Sequence, residues 1–214
     1  NRIFTDPVTS SYTSVTGCGR LGPGDFNGDG HPDLLWQSNA NGQVTVHYYG
    51  GIGGSTYRGW SWIDLQGPSG WKLVGSADFD NDGVPDLVWM NLATRQVTVN
   101  YYSKSGSGYQ LKGWAYLNRS GAPGWSVVAV ADFDGNGVPD LVWQNDSTHQ
   151  VTVDYYGGSG GAKLVGWSWL NSAGVPGWTV AGAGDFDGNG TPDLVWMNTQ
   201  TRQVTVHYYG GPGG

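Results

Sequence analysis

Alternation of apolar and polar residues, the pattern of half-buried β-strands, runs along almost the whole chain. Each stretch of roughly 53 residues contains four such segments, shown most clearly at 72–77, 86–90, 96–102 and 112–117. The tripeptide Val-Thr-Val recurs in the third segment of every stretch, at 44–46, 97–99, 151–153 and 204–206. Because β-branched residues favour a pleated, packed surface and helical periodicity is nowhere convincing, the sequence predicts an all-β protein.

Four strands per repeat with short connections are typical of a propeller blade, whereas the rungs of a β-solenoid are far shorter than this repeat. The sequence therefore predicts a single domain over 1–214, a four-bladed β-propeller with four antiparallel strands in each blade. The last repeat stops at Tyr209-Gly210 and lacks its fourth strand. Phe4-Thr5-Asp6 aligns with the fourth-strand motif Trp62-Ile63-Asp64, so the N-terminal segment 2–6 is expected to complete the last blade and close the ring. An open fragment of four blades is the alternative.

Two sets of aromatic residues occur once in each repeat and are expected to pack between blades. The first set is Trp36, Trp89, Trp143 and Trp196. The second set is Phe26, Phe79, Phe133 and Phe186.

An aspartate-rich loop follows the first strand of every repeat, at 25–33, 78–86, 132–140 and 185–193. The chain has no glutamate, and thirteen of its 17 acidic residues lie in these loops. The net charge of −7 is therefore a property of the loops, and four divalent cations would bring it to +1. An acidic chain without a basic stripe is a poor partner for nucleic acid, and no apolar run is long enough to insert into a membrane.

Numbered from the first aspartate, each loop offers oxygen ligands at the spacing that a hard divalent cation needs. Positions 1, 3, 5 and 9 carry Asp25, Asn27, Asp29 and Asp33; Asp78, Asp80, Asp82 and Asp86; Asp132, Asp134, Asn136 and Asp140; and Asp185, Asp187, Asn189 and Asp193. Position 6 is always glycine, which permits a sharp bend. Position 7 varies, which suits a backbone carbonyl ligand, and its residues are His31, Val84, Val138 and Thr191.

These loops predict calcium, about four ions with one in each blade. Position 12 is a tryptophan and no helices flank the loop, which excludes an EF-hand. Magnesium fits less well because it prefers to keep its waters. Four Asx-type turns without metal are the alternative.

At these loops the chain resembles the FG-GAP and VCBS repeat family, the calcium-loop blades of integrin α-subunit propellers and of many secreted bacterial and fungal proteins. The matching pattern is Asp-Phe-Asp-Gly-Asn-Gly-Thr-Pro-Asp-Leu-Val-Trp at 185–196, with counterparts in the other three repeats. The resemblance implies a calcium-binding propeller and a secreted, extracellular protein. The family includes adhesion receptors, lectins and accessory domains of enzymes, and its usual rings have six to eight blades.

The face opposite the calcium loops is expected to bind the ligand. It collects aromatic, guanidinium and imidazole groups, which are Trp71, Trp125, Trp178, Arg95, His149 and Arg202. Aromatic rings stack on the apolar face of a sugar while polar groups bind its hydroxyls. The competing role for the three tryptophans is to fill the blade junctions.

The sequence has neither a Gly-x-Ser-x-Gly elbow nor a His-Glu-x-x-His motif, so we expect no enzyme. It favours a calcium-binding lectin or carbohydrate-binding domain that recognises carbohydrate or glycoprotein glycans. A protein-binding adhesion module, or an accessory scaffold without a ligand of its own, are the alternatives.

Overall fold

The computed structural model describes residues 12–15, 24–106 and 108–210, and the described residues form fifteen strands. The first eight strands are β1 Tyr12–Val15, β2 Leu34–Ser38, β3 Val44–Gly50, β4 Thr56–Asp64, β5 Trp71–Ala77, β6 Asp86–Asn91, β7 Val97–Ser105 and β8 Gly108–Asn118. The other seven are β9 Trp125–Ala131, β10 Asp140–Asn145, β11 Val151–Gly157, β12 Lys163–Asn171, β13 Trp178–Gly184, β14 Asp193–Asn198 and β15 Val204–His207. Single 3-10 turns lie at Ile52–Gly54 and Ser159–Gly161.

The strands form four antiparallel sheets in which neighbours in sequence are neighbours in space. The first three sheets have the orders β1-β2-β3-β4, β5-β6-β7-β8 and β9-β10-β11-β12, and the fourth has β13-β14-β15. The all-β prediction and the assignment of four strands to one repeat are confirmed for the first three sheets. In this up-and-down order the aspartate loops connect the first and second strands and lie at the same end of every sheet.

The third and fourth strands of a sheet pair with the same irregularities in each of the first three repeats. In the second sheet the register shifts between Val97 and Thr98 and again between Tyr101 and Tyr102. The first and third sheets shift at the equivalent positions. Because β7 continues to Ser105 and β8 begins at Gly108, these two strands are longer than the segments 96–102 and 112–117 that the sequence predicted.

The hydrophobic core lies between adjacent sheets. Trp89, Trp143 and Trp196 are buried, and so are Phe26, Phe79 and Phe133, as the sequence predicted. Trp36 is only half-buried and Phe186 is exposed. These two residues lie on the first and last sheets, where the described part of the chain provides no further sheet to cover them. The prediction of core packing is therefore confirmed for six of the eight aromatic residues.

Ring closure depends on the segment 2–6, which lies outside the described residues. The four-bladed closed ring therefore stays a prediction, and the structure shows four successive sheets. Across the described ranges, no helix has the length and apolar character that a membrane span requires.

Candidate metal centres and a junction cavity

The first aspartate of each loop is the acceptor around which the backbone bends. In the third loop, Asp132 Oδ1 accepts from the N–H groups of Gly135 at 2.8 Å and Asn136 at 3.1 Å, and Oδ2 accepts from Gly137 at 2.8 Å. Asp25 and Asp185 accept the corresponding bonds in the first and fourth loops. Gly137 has φ +84°, a conformation that glycine adopts without steric cost. The local sequence therefore builds a compact turn with its carboxylates facing inward.

The last aspartate of each loop joins the loop to the third strand of its own sheet. Asp86 Oδ2 accepts from the Phe79 N–H at 3.0 Å, and its Oδ1 accepts from the Tyr102 N–H on β7 at 2.9 Å. Asp33, Asp140 and Asp193 make the equivalent pairs of bonds. All four of these carboxylates are buried. The sequence predicted this position as a ligand but gave no sign of the bond to a strand 16 residues away.

Three of the loops bring carboxylate oxygens close enough to share one cation. The oxygens of positions 1, 3 and 9 lie within 4.8 Å of one another in Asp78-Asp80-Asp86, Asp132-Asp134-Asp140 and Asp185-Asp187-Asp193. In the first loop position 3 is Asn27, so its carboxylates are at positions 1, 5 and 9. Like charges at this separation repel unless a cation neutralises them. The donor set is all oxygen, which suits a hard cation such as calcium.

The second loop shows most directly that a cation fits. Asp80 Oδ1 is buried and has no hydrogen-bond donor among the described residues. A buried carboxylate oxygen without a partner is costly, and a bound cation would remove that cost. Asp78, Asp80 and Asp86 would hold such an ion, which would join the loop to the sheet.

Lys112 on β8 offsets the extra aspartate of the second loop. Its Nζ lies 2.6 Å from Asp80 Oδ2 and 2.5 Å from Asp82 Oδ2. The second loop has four carboxylates and this one ammonium, whereas the third loop has three carboxylates with Asn136 at position 5. The net charge is therefore −3 in both. At the equivalent of Lys112 the third sheet has Val165, so the two loops reach the same charge by different residues.

Burial changes the proton affinity of the position 9 carboxyls. Burial raises the pKa of Asp33 to about 6 and the pKa of Asp86 and Asp140 to about 7, although backbone N–H groups oppose the shift, three of them at Asp33 and two each at Asp86 and Asp140. Burial also raises the pKa of Asp78 and Asp132. In the exposed fourth loop the pKa of Asp185 is lowered, chiefly by the Gly190 N–H.

The metal-free protein is therefore expected to lose stability as the pH rises from 5 to 8. The folded carboxyls with pKa values of about 6 to 7 hold protons that an unfolded aspartate, with a pKa of about 3.9, has already released. The stability that these protons contribute is complete below the unfolded pKa and is lost as the pH passes the folded pKa. Melting temperatures of metal-stripped protein at pH 5 and pH 8 measure this. A higher melting temperature at pH 8 without calcium would contradict it.

The six predicted ligand residues lie at the opposite end of the sheets from the aspartate loops and form two sets of repeat-equivalent positions. We call the space between two successive sheets a junction. Trp71, Trp125 and Trp178 are half-buried and pack against the cores between sheets. Arg95, His149 and Arg202 share one turn position, each with φ near +60°. The predicted residues are therefore distributed over separate junctions, and no single site unites them.

At the second junction the arginine is fully engaged. Arg95 donates to Ser126 Oγ at 3.0 Å and to Asp146 Oδ2 at 3.0 Å, and Ser126 donates to Asp146 Oδ1 at 2.7 Å. These three side chains join the second and third sheets. We name them the Arg95 cluster.

At the first junction the same three positions are occupied by Gly42, Lys72 and Leu92. All three line a cavity of about 800 Å³ between the first and second sheets. Trp71 forms part of its wall, and Gln37 fixes this residue by donating to the Trp71 carbonyl at 3.4 Å and accepting from the Leu73 N–H at 3.0 Å. A glycine therefore lines the cavity where the next junction has the Arg95 side chain.

Amide and hydroxyl groups make up most of the other polar lining of the cavity. They belong to Gln37, Ser38, Asn39, Asn41, Gln66 and Ser69. The sequence predicted Trp71 and this face as a ligand site, but it did not identify Gly42, Lys72 or Leu92. These three residues differ from those at the equivalent positions of the other repeats, and that difference could have indicated the cavity.

Exposed aromatic pairs on the fourth strands are a second feature that the sequence interpretation missed. The pairs Trp60–Trp62, Trp114–Tyr116 and Trp167–Trp169 pack edge to face with ring centroids 5.2 to 5.8 Å apart. Trp60, Trp114 and Trp167 are exposed. Recurrence of Gly-Trp-x-aromatic at 59–62, 113–116 and 166–169 would have identified them.

The fold and the loops together define a class: a β-repeat protein in which each antiparallel sheet carries an aspartate loop able to hold a cation. A comparison with protein families assigns the class, since the FG-GAP-like repeat matches residues 4–89 and 132–196. The chain belongs to the FG-GAP-like repeat family, whose repeats build β-propellers that often serve adhesion or binding. A search of curated proteins found no match.

Proposed function

We propose that this chain is an extracellular calcium-binding propeller module that binds carbohydrate in the cavity between its first and second sheets. The observation that carries the proposal is the lining of that cavity. An aromatic residue, Trp71, stands beside several amide groups, and one cation, Lys72, lies at the rim. A volume of about 800 Å³ is within the range of small-molecule sites, which span roughly 300 to 1,000 Å³.

The chemistry of this lining matches a sugar better than an anionic polymer or an apolar ligand. Pyranose C–H faces stack on aromatic rings, and the hydroxyls exchange hydrogen bonds with amides that both donate and accept. The chain carries a net charge of −7, which opposes nucleic acid. Lys72 also admits an acidic sugar, because its ammonium is exposed at the cavity.

Calcium has a supporting role in this proposal. The aspartate loops lie at one end of the sheets, and the turns that line the cavity lie at the other end. A bound ion therefore orders each sheet and does not touch the sugar. Weak calcium affinity suffices outside cells, where calcium-binding modules work with dissociation constants of roughly 10⁻⁴ to 10⁻³ M. This requirement and the family resemblance are the reasons for placing the protein outside the cell.

A glycan array probed with multivalent protein in calcium tests the function. We expect binding to a defined group of glycans, and at least a tenfold loss of affinity in Trp71→Ala, because removing the ring leaves the sugar face uncovered. Trp125→Ala is the matched control, since Trp125 is the equivalent residue at the second junction. Trp167→Ala separates the cavity from the exposed aromatic pairs.

Two results would contradict the proposed cavity site for carbohydrate. Absence of any glycan signal in calcium would overturn the carbohydrate proposal and favour a protein ligand. Loss of binding in Trp167→Ala, with Trp71→Ala unaffected, would move the site to the fourth strands.

A further inference from the structure

The three junctions between sheets are built from the same two faces. The trailing face of a sheet, which packs against the next sheet in sequence, carries the loop phenylalanine, valines of the third strand and a valine or leucine of the second. The leading face, which packs against the preceding sheet, carries a leucine, a tryptophan and a tyrosine. Between the second and third sheets, Phe79, Val88 and Val97 of the trailing face join Leu141 and Trp143 of the leading face in one buried cluster. The other two junctions repeat this pairing.

The trailing face of the fourth sheet is exposed although it has the same composition. Phe186 is 53% exposed and Val204 is 63% exposed, whereas Phe79 and Val97 at the equivalent positions are 1% and 0% exposed. Tyr208, next to them on this face, is also exposed. The fourth sheet therefore exposes a trailing face, whereas the trailing face of each of the other three sheets is covered by a leading face.

The leading face of the first sheet is the complementary half. Leu34, Trp36 and Tyr49 are half-buried, whereas the equivalent residues of the second sheet, Leu87, Trp89 and Tyr102, are at most 1% exposed. Within residues 24–106 and 108–210 both end faces are accessible, so they do not cover one another. Exposed apolar patches of this kind mark interaction sites.

We propose that the trailing face of the fourth sheet binds the leading face of the first sheet in a second copy of this chain. The occupant follows from the three internal junctions, each of which covers a trailing face with a leading face of the same residue types. Two different faces make the contact heterologous, and a heterologous contact closes into a ring when the rotations add up to a full turn. Two copies with four sheets each supply eight sheets, and propellers of about four to eight blades are known.

This dimer contains two identical new junctions related by a two-fold axis. Each copy contributes its fourth sheet to one junction and its first sheet to the other. The carbohydrate cavity lies between the first and second sheets of each copy, so the dimer would present two such cavities and gain avidity on multivalent glycans. The interface itself does not depend on the sugar-binding proposal, because none of the end-face residues lines the cavity.

Light scattering after size exclusion, over a concentration series in calcium, tests the dimer. We expect twice the monomer mass, and Val204→Lys is expected to raise the dimer dissociation constant at least tenfold by placing a charge in the apolar contact. Val165→Lys is the matched control, because Val165 is a similarly exposed strand valine, at 56%, on the fourth strand of the third sheet. Circular dichroism confirms that each variant is folded.

Mixing two variants, each altered on one end face, identifies which faces are in contact. Leu34→Lys is expected to be monomeric alone, as is Val204→Lys, but an equimolar mixture should form mixed dimers with at least tenfold higher affinity than either variant alone. The mixed dimer retains one junction in which both faces are unchanged. Wild-type protein that stays monomeric at all concentrations, or a Leu34→Lys variant that dimerises normally, would overturn the proposal. Closure of the ring within one chain would appear as the first of these results.

Discussion

Removing calcium is expected to lower the melting temperature of this protein by about 15 °C or more. Each site that binds only the folded state at a calcium concentration near 100 times its dissociation constant contributes about 2.7 kcal/mol. Three aspartate triads place their oxygens within 4.8 Å of one another. For a chain of this length a change of 1 kcal/mol moves the melting temperature by roughly 2 to 4 °C, so three sites together have a large effect.

Scanning calorimetry in calcium, in chelator and after calcium is restored measures the effect. Asp134→Ala should remove one ion from the stoichiometry measured by titration calorimetry, because position 3 of the third loop then has no oxygen ligand. Asp146→Asn is the control, since this aspartate lies outside the loops and its exposed ion pair with Arg95 contributes little. An unchanged melting temperature in chelator would show that the loops are metal-free Asx turns.

Filling the first-junction cavity is expected to abolish sugar binding while the fold persists. The triple variant Gly42→Arg, Lys72→Ser, Leu92→Asp copies the Arg95 cluster into the first junction. Arg95 adopts φ +59° and Gly42 adopts φ +72°, so the turn accepts an arginine at a cost of about 1 to 2 kcal/mol for the left-handed conformation. A side chain at 42 also meets Gly67 at 3.2 Å, which requires a small backbone adjustment.

Affinity for the glycan found on the array should fall at least tenfold in the triple variant. Gly42→Asn is the control for backbone strain, because asparagine tolerates the left-handed region and its side chain is short. The stoichiometry of calcium binding should be the same in both variants, because the aspartate loops lie at the other end of the sheets. Wild-type affinity in a folded triple variant would place the sugar elsewhere.

The sequence predicted the strands and loops well because both depend on local patterns repeated four times. Val-Thr-Val marks the third strand, and the aspartate spacing marks the turn that follows the first. Asp86 shows where this reasoning ends. Its spacing identified a candidate ligand, but its bond to the Tyr102 N–H joins residues that only the sheet brings together.

The cavity was missed for a different reason. It lies where Gly42 has no side chain, and only a position-by-position comparison with Arg95, His149 and Arg202 in the other repeats could have indicated it. Arg95 was expected to face a ligand, and that role stays a prediction; its bonds to Ser126 and Asp146, which join the second and third sheets, could not be read from the sequence. The exposure of Phe186 likewise could not be inferred, because that residue has the same local context as its buried counterparts, and the difference is that no following sheet covers it among the described residues.

The first and last aspartates of each loop form their hydrogen bonds within their own repeat. Position 1 accepts from the loop backbone, and position 9 accepts from the third strand of the same repeat. A gene duplication that copies one whole repeat therefore copies a finished ion site, and a deletion of one repeat removes a single site without damaging another. Only the faces between sheets must match afterwards. Such a chain can change its length in evolution by whole repeats, and each new repeat is free to diverge at its junction and acquire a ligand of its own.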